Sequence, residues 1–149
     1  MAKRVEDGRK VVCQNRKARH DYDIIEVIEA GLVLTGSEVK SLRDGGAHLT
    51  DAWAEVRGGE AFLVGAHIAP YAQASYLNHP PRRERKLLLH AREISRLEGK
   101  VREKGLTLVP LVLYFREGRA KVEIALARGR RAYDKRDRIQ KRDLARAVD

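Results

Sequence analysis

The stretch "LTLVPLVLYF", Leu106–Phe115, decides the fold. Nearly every side chain in it is apolar, which predicts a buried strand. Pro110 cannot donate to a strand ladder, so it implies a sheet edge or a bulge. A turn at "REGR", Arg116–Arg119, leads into "AKVEIALA", Ala120–Ala127. There Ala120, Val122, Ile124 and Leu126 alternate with Lys121 and Glu123, the pattern of a half-solvated strand.

Upstream, "HAREISRLEGKVREKG", His90–Gly105, has helical spacing. Ile94, Leu97 and Val101 share one face, Glu93, Glu98 and Glu103 mix with basic residues on the other, and Gly105 sits where the helix should stop. "DAWAEVRGGEAFLVGAHIAPY", Asp51–Tyr71, reads as a hairpin turning at Arg57–Glu60, because paired glycines relieve the cost of positive φ. "DYDIIEVIEAGLVLTG", Asp21–Gly36, is rich in β-branched residues around Gly31, which marks a bulge or a sharp bend. "EVKSLRDGG", Glu38–Gly46, reads as a short helix stopped by glycines. Between hairpin and long helix, "NHPPRRERK", Asn78–Lys86, holds two prolines and four basic residues against one acid; it reads as an exposed basic loop. Short strands with few helices predict a mainly β protein: a small, closed or nearly closed β-barrel of OB-like kind with added short helices.

The apolar alternation stops at Ala127. Residues 1–127 therefore read as the folded body and 128–149 as a separate basic tail. Arg128–Arg146 contains nine Lys or Arg and three Asp, +6 of the formal +10 carried by the 149-residue chain. This segment cannot offset its own ordering entropy by burial, so disorder is expected when the protein is free. Asp134 with Arg138, and Asp137 with Lys141, are acid-first i,i+4 pairs that favour a helix on a phosphate-lined partner.

A strongly basic chain suits a polyanion: RNA, DNA or an acidic membrane. One cysteine, Cys13, excludes an internal disulfide and reads as a half-buried apolar residue. The N-terminus lacks the apolar stretch of a signal peptide and no run reaches membrane-spanning length, so a cytoplasmic protein without membrane contact is expected. His20, His48, His67, His79 and His90 show no metal-ligand spacing, and no nucleophile elbow or P-loop occurs, so neither a metal, a cofactor nor an enzyme activity is expected. What is present is three basic clusters: Asn15–Tyr22, Asn78–Lys86 and the tail. His20, Tyr22, Tyr76 and His79 lie near the first two, and flat rings beside cations suit RNA with unpaired bases.

The words "NRKARHDY", "EAGLVLTGSEVKSLR", "GEAFLVGAHI", "RKLLLHAREI" and "YDKRDRIQKRD" run in order from Asn15 to Asp143. In this the chain resembles the small protein B family, the SsrA-binding proteins that partner transfer-messenger RNA (tmRNA). The resemblance implies a binding protein, monomeric when free, that takes the tRNA-like domain of tmRNA to stalled ribosomes for trans-translation. The tail would enter the empty mRNA channel as a helix. Glu29, Leu88 and His90 fall on family positions linked to tmRNA binding; many relatives carry Asn where His90 stands. Asn15, Arg16, Lys17, Arg19, His20, Tyr22, Lys40, Arg43 and Lys86 complete the expected RNA-binding set. Gly129, Arg130, Arg131, Tyr133, Asp134, Lys135 and Arg136 are the expected contacts at the decoding centre, with Tyr133 where many relatives have His. Other readings stand beside these. Leu88, central in "LLL", also reads as core, and Glu29 as a strand-edge carboxylate paired with Arg or Lys. A generic ribosomal or initiation-type RNA-binding barrel is the alternative to the whole.

Overall fold

In a computed structural model that describes residues 3–4 and 8–129, the Leu106–Phe115 stretch lies at the centre of the main sheet. It forms most of strand β9, Thr107–Arg116, when elements are numbered along the chain. Before it come β1 (Lys3–Arg4), β2 (Arg9–Gln14), α1 (Arg16–Asp21), β3 (Tyr22–Leu32), α2 (Gly36–Arg43), β4 (Ala47–His48), β5 (Trp53–Arg57), β6 (Glu60–Val64), β7 (His67–Ile68), a 3₁₀ turn (Ala72–Leu77), β8 (Arg85–Leu88) and α3 (Ala91–Lys104); β10 (Arg119–Gly129) follows. The strand order is β1-β2-β9-β10-β3-β8-β6-β5, and β5 pairs back onto β9 at Ala54 and Leu108. Six strands thus close into a ring. β4 and β7 form a separate pair.

β9 is apolar from Leu108 to Phe115 because both of its faces are covered there. Leu108 and Leu113 join the ring's interior with Leu63, Leu87, Leu97, Val122, Ile124 and Leu126. Val109, Leu111, Val112 and Tyr114 pack on the outer side with Ala125, Ala127 and Ala18 of α1. Of the two readings of Pro110, the bulge holds: between Glu123 and Ile124 the register passes from Val112 to Pro110, leaving Leu111 unmatched. The Asn15 backbone donates to the Leu111 carbonyl at 2.7 Å, and its amide donates to the Pro110 carbonyl at 2.9 Å.

Gly31 does not mark a bend. β3 runs through it, and the bulge falls instead near Ile25, where Leu126 and Ala127 pair with Glu26 and Ile24. Gly31 is needed for close approach: a Cβ there would lie 3.2 Å from Leu88 Cβ. The hairpin turns as expected, with Gly58 at φ 56° and Gly59 at φ 78°. α3 ends at Gly105, left-handed at φ 63°. α2 begins in a capping box, Thr35 with Glu38.

The reading of Asn78–Lys86 as an exposed loop needs correction. Arg85 is 0 % exposed and His79 6 %. Arg85 places Nε 2.7 Å from Oε2 of the buried Glu38 and donates to the Ala66 and Pro81 carbonyls; Arg83 reaches Glu38 Oε1 at 2.6 Å. Burial works against ionisation of Glu38, but hydrogen bonds from Arg83, the Thr35 backbone and Arg85 outweigh it and hold the carboxyl at about 2. His79 bonds the Ser37 hydroxyl at 2.8 Å and the Ile68 carbonyl at 2.9 Å through its two ring nitrogens, and its burial leaves no ring face to offer a base. These buried groups clamp the loop to α2 and fix the start of β8. β10 continues two residues past Ala127, pairing Arg128 with Asp23 and Gly129 with Tyr22.

Candidate nucleic-acid interface

β8 is a short strand whose alternation sorts "RKLL" by face. Arg85 and Leu87 point inward, at 0 % and 1 % exposure, while Leu88 points outward at 55 %. Of the two readings of Leu88, the core one therefore belongs to its neighbour Leu87. Leu88 pairs with Gly31 of β3, and the missing Cβ lets its side chain lie flat on that strand. Around it opens a cleft of about 610 Å³ lined by Glu29, Lys86, Leu88, His90 and Lys121, with Glu60 and Glu93 also lining it. Four of the residues expected from the sequence thus meet, drawn from β3, β8 and the cap of α3. His90 is that cap; its backbone N–H donates to Glu93 Oε1 at 3.2 Å.

Glu29 is held from one side only. Its Oε2 accepts from the buried Tyr114 hydroxyl and from Arg116 Nη1 at 2.6 Å. Burial first, then the Glu29 carboxylate, push the Tyr114 phenol well above its ordinary value, so it is a firm donor. Oε1 accepts no hydrogen bond from the described residues. The expected pairing of Glu29 with a basic residue is present, and both donors bond Oε2, leaving Oε1 without a donor among the described residues. Glu123, directly opposite Glu29 in the ladder, pairs with Arg9, whose guanidinium lies 4.5 Å from the Tyr114 ring centroid.

The chemistry on offer is specific. Leu88 presents an apolar face for a base or ribose. Glu29 Oε1 accepts from an N–H or O–H edge. His90 can donate or accept, and Lys86 and Lys121 supply positive charge. Lys86 is only loosely engaged, 3.8 Å from Glu60.

The other expected residues lie elsewhere. Arg16, Lys17, Arg19 and His20 are exposed on α1. Asn15 is buried, 6 % exposed, and its amide caps α1 through the Ala18 N–H while donating to the Leu49 and Pro110 carbonyls; its work is internal. Lys17 and Tyr22 line a second cleft, of about 410 Å³, with Trp53. That indole is 41 % exposed and donates to Glu55 at 2.8 Å. Lys40 and Arg43 are exposed on α2, Lys40 lying 5.7 Å from the centre of the Tyr71 ring. Gly129 ends β10. Arg130, Arg131, Tyr133, Asp134, Lys135 and Arg136 lie outside the described residues. Sequence reasoning missed Lys121 at the first cleft, Tyr114 and Arg116 behind Glu29, and Trp53 at the second cleft. Tyr114 carries no signal, since within an apolar run it reads as core. Lys121 sits on the wet side of an alternating strand, but only β3–β10 pairing reveals its neighbours. Among the described residues, no three His, Cys, Asp or Glu are grouped to hold a metal, and no helix is long and apolar enough to cross a membrane.

Comparison with known proteins decides the family. The SmpB protein family model matches residues 12–149.

The chain belongs to the SmpB family.

It is 61 % identical over 147 residues to the SsrA-binding protein of Acidothermus cellulolyticus, covering 96 % of this chain and 92 % of that one. It is 59 % identical over 140 residues to that of Syntrophobacter fumaroxidans, covering 94 % and 87 %. A solved structure described as "tmRNA-SmpB: a journey to the center of the bacterial ribosome" superposes with a TM-score of 0.67 at 57 % identity, over 78 % of this chain and 82 % of that one. The strands from β3 onward and the basic stretch Arg128–Arg146 fall within the SmpB match.

Proposed function

We propose that this SmpB-family protein binds tmRNA through the Glu29–Leu88–His90 cleft and carries it to stalled ribosomes for trans-translation. The supporting observation is the convergence of Glu29, Lys86, Leu88 and His90 on one open cleft, with Leu88 turned outward. An exposed leucine flanked by a one-sided carboxylate and two lysines suits an unpaired nucleotide of a folded RNA. Relatives named SsrA-binding proteins, and a solved neighbour described with tmRNA and the ribosome, supply the RNA's identity.

In this reading the strand ring is an OB-like barrel. The cluster on α1 and the cations of α2 give further phosphate contacts. Residues from Gly129 onward, Tyr133 and the Asp134-Lys135-Arg136 word among them, serve the mRNA channel and decoding centre. The protein acts by binding rather than catalysis, in the cytoplasm. The test is competition: a labelled tRNA-like domain of tmRNA is titrated with the protein against excess tRNA and ribosomal RNA fragments. Retained binding supports the reading. Ready displacement by both competitors would instead indicate a generic RNA-binding barrel.

A further inference from the structure

We infer that Tyr114 and Arg116 are positioning residues for RNA recognition: they act through Glu29, fixing its carboxylate so that Oε1 alone meets the RNA. This rests on the proposed role of the cleft and adds to it how the acceptor is aimed.

Three observations carry the argument. Both donors converge on one oxygen, Oε2, from neighbouring positions on the outer side of β9. Two donors on one oxygen lock the carboxylate's rotation, whereas an exposed glutamate on a strand normally samples several rotamers. Second, the donors cannot readily be drawn away. Tyr114 is 1 % exposed within the outer apolar cluster. Glu123, the carboxylate opposite Glu29 in the ladder, is engaged by Arg9. Third, charge is matched locally. A bare carboxylate would repel the phosphates of an approaching RNA; Arg116 offsets that charge while leaving a strong acceptor. A pre-aimed, locally neutralised carboxylate selects an N–H edge of an unpaired base over phosphate oxygens. Leu88 beside it provides the face on which that base or its ribose rests.

The test is a double-mutant cycle read by binding of the isolated tRNA-like domain, with Tyr114→Phe, Arg116→Gln and Glu29→Ala. Tyr114→Phe keeps the ring and its packing while removing the hydroxyl. Tyr114→Phe and Arg116→Gln are each expected to weaken binding about tenfold in the native background, ~1.4 kcal/mol. Neither should weaken it further once Glu29 is alanine. Arg116→Gln should also leave the salt dependence unchanged, because a direct phosphate contact would lower the slope by about 0.7–0.9. Arg116→Lys, which keeps the charge, should recover most of the affinity. An equal loss in the Glu29→Ala background, or a reduced salt slope, would mean direct contact with RNA and overturn the inference. So would unchanged binding by both single variants. If the unmodified protein fails to prefer tmRNA, the functional reading fails first, and the two failures are told apart.

Discussion

Leu87 and Leu88 are adjacent, chemically identical and opposite in consequence. Leu87 is 1 % exposed in the core; Leu88 is 55 % exposed beside Glu29. Leu87→Ala should lower unfolding free energy by about 2–5 kcal/mol, the range for a truncated core leucine. Leu88→Ser should leave stability within about 0.5 kcal/mol, as surface changes do, yet weaken tmRNA binding. Chemical denaturation and RNA titration on the two variants separate the effects; a Leu88→Ser protein that unfolds as easily as Leu87→Ala would place Leu88 in the core after all. The sequence alone left this open. "LLL" has no alternation to read, and the phase of β8 is set by Arg85, whose burial depends on Glu38, 47 positions away. Asn15 shows the converse. It stands in a basic cluster, and only the Leu111 bulge, which brings the Pro110 carbonyl to its amide, makes it internal.

The Glu38–Arg83–Arg85 clamp ties α2 to the loop that enters β8. Its sign with pH is fixed by the carboxyl. Glu38 sits at about 2 in the folded protein against an ordinary 4.5, so the clamp's contribution is full above about 4.5 and is lost as pH falls towards 2. Stability should therefore decline over that window. Glu38→Gln should flatten the decline and lower stability at neutral pH, since breaking a buried pair costs about 3–5 kcal/mol. Unfolding midpoints between pH 2 and 7 check this; an unchanged acid limb in Glu38→Gln would remove the clamp from the account. Legibility followed how local the physics is. α3, α2 and the Gly58–Gly59 turn rest on spacing, caps and positive φ, and all were readable. The two bulges and the role of Gly31 depend on register between distant strands, which no single segment encodes.

The body and the tail divide the charge and, in the proposed reading, the labour. Nine of the 31 basic residues fall in Arg128–Arg146, beyond most of the described ring. Removing 130–149 should leave affinity for tmRNA within about tenfold, ~1.4 kcal/mol, while abolishing tagging on stalled ribosomes. A truncated protein that no longer holds tmRNA would locate the RNA site in the tail. A mainly β body and a basic end were legible from alternation and composition. The meeting of Glu29, Lys86, Leu88 and His90 was not, because it needs the β3–β8 pairing. The account rests on that cleft recognising tmRNA, and the most direct measurement is the affinity of the tRNA-like domain for the unmodified protein and for the Glu29→Ala, His90→Ala double variant, at one salt concentration and with unfolding midpoints taken alongside. The account predicts an affinity loss of at least about tenfold, ~1.4 kcal/mol, with the midpoint held. Equal affinity in a folded double variant would contradict it.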